Sequence, residues 1–227
     1  HDEKFIASSG EETRSMVWSA AGKLVRIFSG HRDFVNALAF NPRKRQLVSG
    51  GEDGLILVWN PDVSEPATAL LGHAGPVNAL AYSNNGKVLA SGSSDATVKI
   101  WNVNNGRQVA SLGHPSAVRA IAISKNGKYL ASAGDDGRVF IWDLGVGGEL
   151  VGTLSGAPSA VGSLAFLPSG RLLAGSEDGS ITLWDIRNNR IIRTIAPKPL
   201  ASADGVSLFP DPLSLPVADL VSPGLDR

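Results

Sequence analysis

Tryptophan returns along this chain at an almost fixed interval. The five tryptophans, Trp18, Trp59, Trp101, Trp142 and Trp184, are separated by 41, 42, 41 and 42 residues. Six residues before each stands an acid: Glu12, Asp53, Asp95, Asp136 and Asp178. Gly-His pairs end at His31, His73 and His114, and Gly156-Ala157 holds the fourth equivalent place. Three chemically distinct markers share one period, so the chain repeats a supersecondary unit. A unit of this size cannot bury its apolar face alone and must stack on its neighbours.

Each unit reads as four short strands. In the second, residues 34–40 form the first strand, and the turn NPRKRQ leads to a second near 46–50. A Glu-Asp-Gly turn at 52–54 precedes a third strand at 55–59, and a fourth falls near 67–71. Strand-length apolar runs bounded by Gly, Asn, Asp and Pro predict antiparallel β structure. No segment sustains a 3.6-residue apolar period, so helices are not expected. The first strands alternate small residues, as in Ala37/Ala39, Ala79/Ala81, Ala120/Ala122 and Ser163/Ala165. Small side chains suit strands that crowd toward an axis.

The period, the Gly-His, the turn Asp and the Trp, followed by Asp in Trp142-Asp143 and Trp184-Asp185, resemble WD40 repeats over residues 4–195. The resemblance implies an all-β propeller of four-stranded antiparallel blades, about five of them, in an incomplete ring. A partial blade spans 1–30, and full repeats span 31–72, 73–113, 114–156 and 157–195. The sequence departs from the pattern where Asn follows Trp59 and Trp101, where Gly-Ala replaces the fourth Gly-His, and where Glu12 replaces Asp.

Ser, His and Asp recur in sets that mimic a hydrolase triad. They are Ser49/His31/Asp53, Ser91/His73/Asp95 and Ser132/His114/Asp136, beside Trp59, Trp101 and Trp142. An enzyme needs one such set, whereas here it comes once per repeat. The resemblance implies a structural Trp–Ser–His–Asp relay in each blade, in which a buried indole N–H finds its acceptor. The last unit has Ala157 and Ala174 where His and Ser would fall, so its blade is expected to be the least rigid.

The resemblance also places the Gly-His loops and turn acids on one rim, the top, where partners of the family dock. Residues that vary between repeats there are Arg32, Phe34, Pro76 and Pro115 after the His positions, and Glu52, Ser94, Asp135 and Glu177 before the turn acids. Three of these last four are acidic, which predicts a basic protein or peptide partner with Phe34 as apolar anchor. The opposite rim gathers Lys23, Arg43, Lys44, Arg45, Lys87, Arg107, Lys125, Lys128, Arg171, Arg187 and Arg190.

Composition narrows the classes. Lys+Arg and Asp+Glu both total 21, so the basic excess of a dedicated nucleic-acid binder is missing. Without cysteine, thiolate metal sites and thiol nucleophiles are excluded, and a reducing, cytoplasmic setting is expected. No apolar run reaches the length of a membrane span. No cofactor, small-molecule substrate or metal motif emerges, and the acidic turns are explained by turn chemistry. Residues 196–227 hold six of the thirteen prolines. They read as a linker, or as a closing strand through Gly205–Phe209, and the missing initial Met favours a fragment of a longer ring. The reading is thus a non-catalytic interaction scaffold. The alternatives are a regulatory or sensor region of a larger signalling protein, and a nucleic-acid-associated propeller using the basic underside.

Overall fold

A computed structural model of the chain describes residues 5–10, 12–62 and 66–197. The segment in which a closing strand was expected lies outside them. Among these residues nineteen strands make one three-stranded and four four-stranded antiparallel sheets. Blade 1 comprises β1 (Phe5–Gly10), β2 (Glu12–Ser19) and β3 (Leu24–Ser29). Blade 2 comprises β4 (Val35–Phe40), β5 (Leu47–Gly51), β6 (Ile56–Trp59) and β7 (Pro66–Leu70). Blade 3 follows with β8 (Val77–Tyr82), β9 (Val88–Ser93), β10 (Thr97–Asn102) and β11 (Arg107–Gly113). Blade 4 has β12 (Val118–Ile123), β13 (Tyr129–Gly134), β14 (Val139–Asp143) and β15 (Glu149–Leu154). Blade 5 has β16 (Val161–Phe166), β17 (Leu172–Ser176), β18 (Ile181–Asp185) and β19 (Arg190–Ile195). Among the described residues the one departure from an all-strand expectation is a 3-10 turn at Leu144–Val146, capped by the Asp143 side chain.

Blades stack in chain order. The inner strands β4, β8, β12 and β16 adjoin one another, and the second strand of each blade also packs on the inner strand of the next. This crowding explains the small residues at alternate inner-strand positions. Four apolar clusters hold the stack together. In one, Trp59 and Leu47 pack on Val17 and Phe28 of the blade before. In another, Trp101 and Leu89 meet Val48, Ile56 and Val77. The third strands of blades 2 and 4 are apolar on both faces because those sheets are covered on both sides. A fully buried Leu or Ile is worth about 1.5–3 kcal/mol, so these interfaces carry the stack.

Among the described residues the stack is an arc that does not close into a ring. Its outer faces show what a neighbour supplies inside. Ile195 is 52% exposed, whereas Leu154, at the same register in blade 4, is 1% exposed.

Candidate functional site

The relay is complete in blades 2 and 3. Trp59 Nε1 donates to Ser49 Oγ at 2.7 Å, and Ser49 Oγ lies 2.7 Å from His31 Nε2. His31 Nδ1 sits 3.0 Å from Asp53 Oδ1. A carboxylate only accepts, so Nδ1 carries the proton, Ser49 donates to Nε2, and its lone pair receives the indole. Blade 3 repeats the geometry, with Trp101 to Ser91 at 2.8 Å, Ser91 to His73 at 2.7 Å and His73 to Asp95 at 2.8 Å.

The turn aspartate is held from a second side as well. The backbone N–H of Arg32 donates to Asp53, and that of Ala74 to Asp95, both at 2.9 Å. Burial raises the Asp95 pKa, but hydrogen bonds from Thr97, the Ala74 amide and His73 outweigh it and hold the carboxyl at about 2. Asp53 is likewise lowered against the effect of burial, by the Arg32 amide, His31 and the Leu55 amide. Burial lowers the His73 pKa, only partly opposed by Asp95, so a neutral imidazole fits the tautomer above.

Blade 4 corrects the expectation of a third full relay. Trp142 still donates to Ser132 at 2.8 Å. His114, however, turns its Nδ1 to the Ser116 carbonyl at 3.1 Å, and its Nε2 is buried without a partner. Asp136 engages Arg138 instead, at 3.1 Å. The residue after His114 is Pro115, which has no N–H to hold the aspartate in place. His114 packs edge-on against Phe140, and burial lowers its pKa.

In blade 5, Ala157 and Ala174 leave the Trp184 indole nitrogen buried with no acceptor. Blade 1 holds a contact that sequence reasoning missed, since Trp18 donates to Ser8 at 2.9 Å. The signal was available: Ser8 precedes its Trp by ten residues, as Ser49, Ser91 and Ser132 precede theirs.

The relay serines cannot act as nucleophiles where they lie. Ser49, Ser91 and Ser132 are all 0% exposed, beneath the indole that each one caps. No substrate carbonyl can approach such an oxygen. Among the described residues, no group of three or more His, Asp or Glu is placed to hold a metal ion.

The variable positions before the turn acids lie where the inner strands begin, the amides of Glu52, Ser94, Asp135 and Glu177 bonding to the carbonyls of Phe34, Pro76, Ala117 and Ala160. Phe34 is 45% exposed, and its carbonyl accepts the Glu52 N–H at 2.9 Å, so the two side chains share one loop pair. Asn36 donates to Glu52 at 3.2 Å, and Asn78 donates to Ser94 at 2.9 Å. At the equivalent place in blade 4 stands Arg119, which pairs with both Asp135 and Glu177. Two of the three rim acids are therefore already engaged within the chain. Arg119 went unnoticed in the sequence because an inner-strand residue gives no sign of its reach to a neighbouring blade. Arg32 and Pro115 are exposed at the rim, and Pro76 is half-buried.

The opposite rim is less bare than its composition suggests. Arg43 donates to the Asn84 carbonyl and Lys44 to Asn104, while Arg45, Lys128 and Arg190 pair with Asp62, Asp143 and Asp185.

Comparison with known proteins agrees with this geometry. The family described as WD domain, G-beta repeat, matches residues 22–60, 64–102, 106–143 and 148–185. The chain is 28% identical over 65 residues to the THO complex subunit 6 homolog of Danio rerio, covering 29% of this chain and 20% of that protein. It is 36% identical over 59 residues to the tRNA (34-2'-O)-methyltransferase regulator WDR6 of Mus musculus, covering 26% of this chain and 5% of the relative. It is 33% identical over 57 residues to the nuclear distribution protein PAC1 of Tuber melanosporum, covering 25% of this chain and 13% of the relative. The chain thus spans a fifth or less of the length of these relatives. The four family matches take in well over half of its 227 residues, each holds one of Trp59, Trp101, Trp142 and Trp184, and the chain belongs to the WD40 family.

Proposed function

We propose that this chain is a non-catalytic scaffold that docks a protein or peptide segment on the rim of the Gly-His loops, at Phe34 and Glu52. WD40 repeats imply a protein-interaction scaffold, and the family is generally non-catalytic. The names of two relatives, a complex subunit and a regulator of an enzyme, support that role. The observation that carries the position is the contrast along the rim. Asp135 and Glu177 are neutralised by Arg119, whereas among the described residues Glu52 meets only the neutral Asn36, beside an exposed phenyl ring. An apolar anchor next to an unspent carboxylate favours a segment that pairs one apolar side chain with one Lys or Arg.

Panning a random-peptide library on the purified chain tests this. Recovered peptides are expected to pair a cationic with an apolar residue, and to lose affinity about tenfold or more for Phe34→Ala combined with Glu52→Lys. Peptides that bind the double variant as well as the parent would refute this docking position.

A further inference from the structure

The repeat breaks on both walls of a single cleft, between blades 4 and 5 on the side away from the Gly-His loops. On the blade 4 wall, Gly152 lies opposite Ile141. At that register the other four-stranded blades carry Ala110, Thr68 and Arg193. A Cβ added at Gly152 would meet nothing within 4 Å, so the missing side chain opens space down to Ile141.

On the blade 5 wall the break is chemical. Asn41, Ser83 and Ser124 each follow an inner strand directly and are buried polar residues that bond within the turn. Leu167 takes that place in blade 5, with the same backbone hydrogen bond, here to the Arg171 carbonyl, and Pro168 follows. The turn has exchanged a polar plug for an apolar wall. Together the walls bound a half-open cleft of about 920 Å³ with Leu154, Phe166 and Ile186 also lining it. That lies within the roughly 300–1,000 Å³ of sites that bury a ligand.

Its mouth is cationic. Lys125, Lys128 and Arg187 line it, and among the described residues no carboxylate does. Lys128 is tied to Asp143 at 3.6 Å, and among the described residues the side chains of Lys125 and Arg187 have no acidic partner. An apolar pocket beneath a cationic mouth selects for apolar and anionic groups close together. A nucleic acid would instead need a continuous basic track, and here Lys128 and, farther along the rim, Arg45 are paired with Asp143 and Asp62.

We infer that this cleft is a second docking site, taking an acidic peptide segment that inserts one large apolar side chain between blades 4 and 5. The site stands independently of the Phe34–Glu52 rim. Glu52 favours a cation there, whereas this cleft favours anions.

Fluorescence polarisation of labelled hexapeptides made of aspartate and glutamate around one phenylalanine tests the inference, with an alanine-centred peptide as the control. The phenylalanine peptide is expected to bind the parent chain at least about tenfold more tightly than the alanine peptide. The same loss is expected on combining Lys125→Glu with Arg187→Glu, and on Gly152→Leu, which fills the pocket without backbone strain. Leu167→Asn restores the polar turn of the other blades and gives a second pocket variant, and melting curves confirm that each variant folds. Phe34→Ala with Glu52→Lys should leave this binding unchanged, which separates the cleft from the rim. Failure of the phenylalanine peptide to bind the parent chain would overturn the inference, as would equal affinity for the two peptides. Indifference to both pocket variants would reduce the cleft to a charged surface. Displacement by polyuridylate at equal charge would overturn it in favour of a nucleic acid.

Discussion

Pro115 stands where Arg32 stands two blades earlier, and it has no backbone N–H to give Asp136. Asp53 is fixed by the Arg32 amide at 2.9 Å and can face His31, whereas Asp136 has swung to Arg138. His114 is left with the Ser116 carbonyl alone. One missing proton thus separates a complete relay from half of one, and blade 5, without His or Ser, completes a gradient. The relay weakens from blade 3 through blade 4 to blade 5.

The gradient predicts unequal costs for equivalent serines. Ser49→Ala leaves two buried groups without partners, the Trp59 indole N–H and His31 Nε2. Ser132→Ala orphans only the Trp142 indole, because His114 has already turned away. Each buried orphan costs about 1–3 kcal/mol. Urea unfolding should therefore show Ser49→Ala to be more destabilising by about 1–2 kcal/mol. Equal losses would mean that His31 gains nothing from Ser49.

Ala174 is buried beside an indole that lacks an acceptor. Ala174→Ser places a hydroxyl where Ser49, Ser91 and Ser132 already fit. The substitution should stabilise the chain by about 1 kcal/mol, read from the same urea midpoints. A destabilised variant would show that blade 5 has closed over the position.

Most of the architecture was legible because its cause is periodic. Strands expected at 46–50 and 55–59 appear at Leu47–Gly51 and Ile56–Trp59, within a residue of expectation. What escaped is non-periodic or reaches between blades. Pro115 stood among rim candidates, but its missing donor matters only because a backbone amide is what holds the turn aspartate. Arg119 spans two blades, and Gly152 and Leu167 line one cleft from different blades, so no local pattern joins them.

Acidification should weaken the fold in two stages. Burial lowers the His73 and His114 pKa values below the ordinary 6.5. As pH falls through 6.5 the unfolded chain takes up protons that the folded chain refuses, so stability declines. Asp95 acts lower down. Its contribution is fully present above the ordinary 3.8 and is lost as pH falls through about 2. Urea midpoints should fall between about pH 8 and about pH 5, and a flat profile would contradict neutral buried imidazoles.

Releasing the rim acids should strengthen the top for cations. Arg119→Ala frees Asp135 and Glu177, which are both more than two-fifths exposed. Binding of a labelled oligolysine, measured at low salt, should tighten several-fold and weaken again as salt is added. Unchanged binding would mean that Arg119 does not mask the rim.

The indole protons test the graded relay most directly. Trp59 and Trp184 are each 1% exposed, so burial does not distinguish them and the serine does. Indole N–H exchange followed residue by residue by NMR should be slowest at Trp59 and Trp101, intermediate at Trp142, and fastest of the four at Trp184. Exchange at Trp184 as slow as at Trp59 would contradict the account.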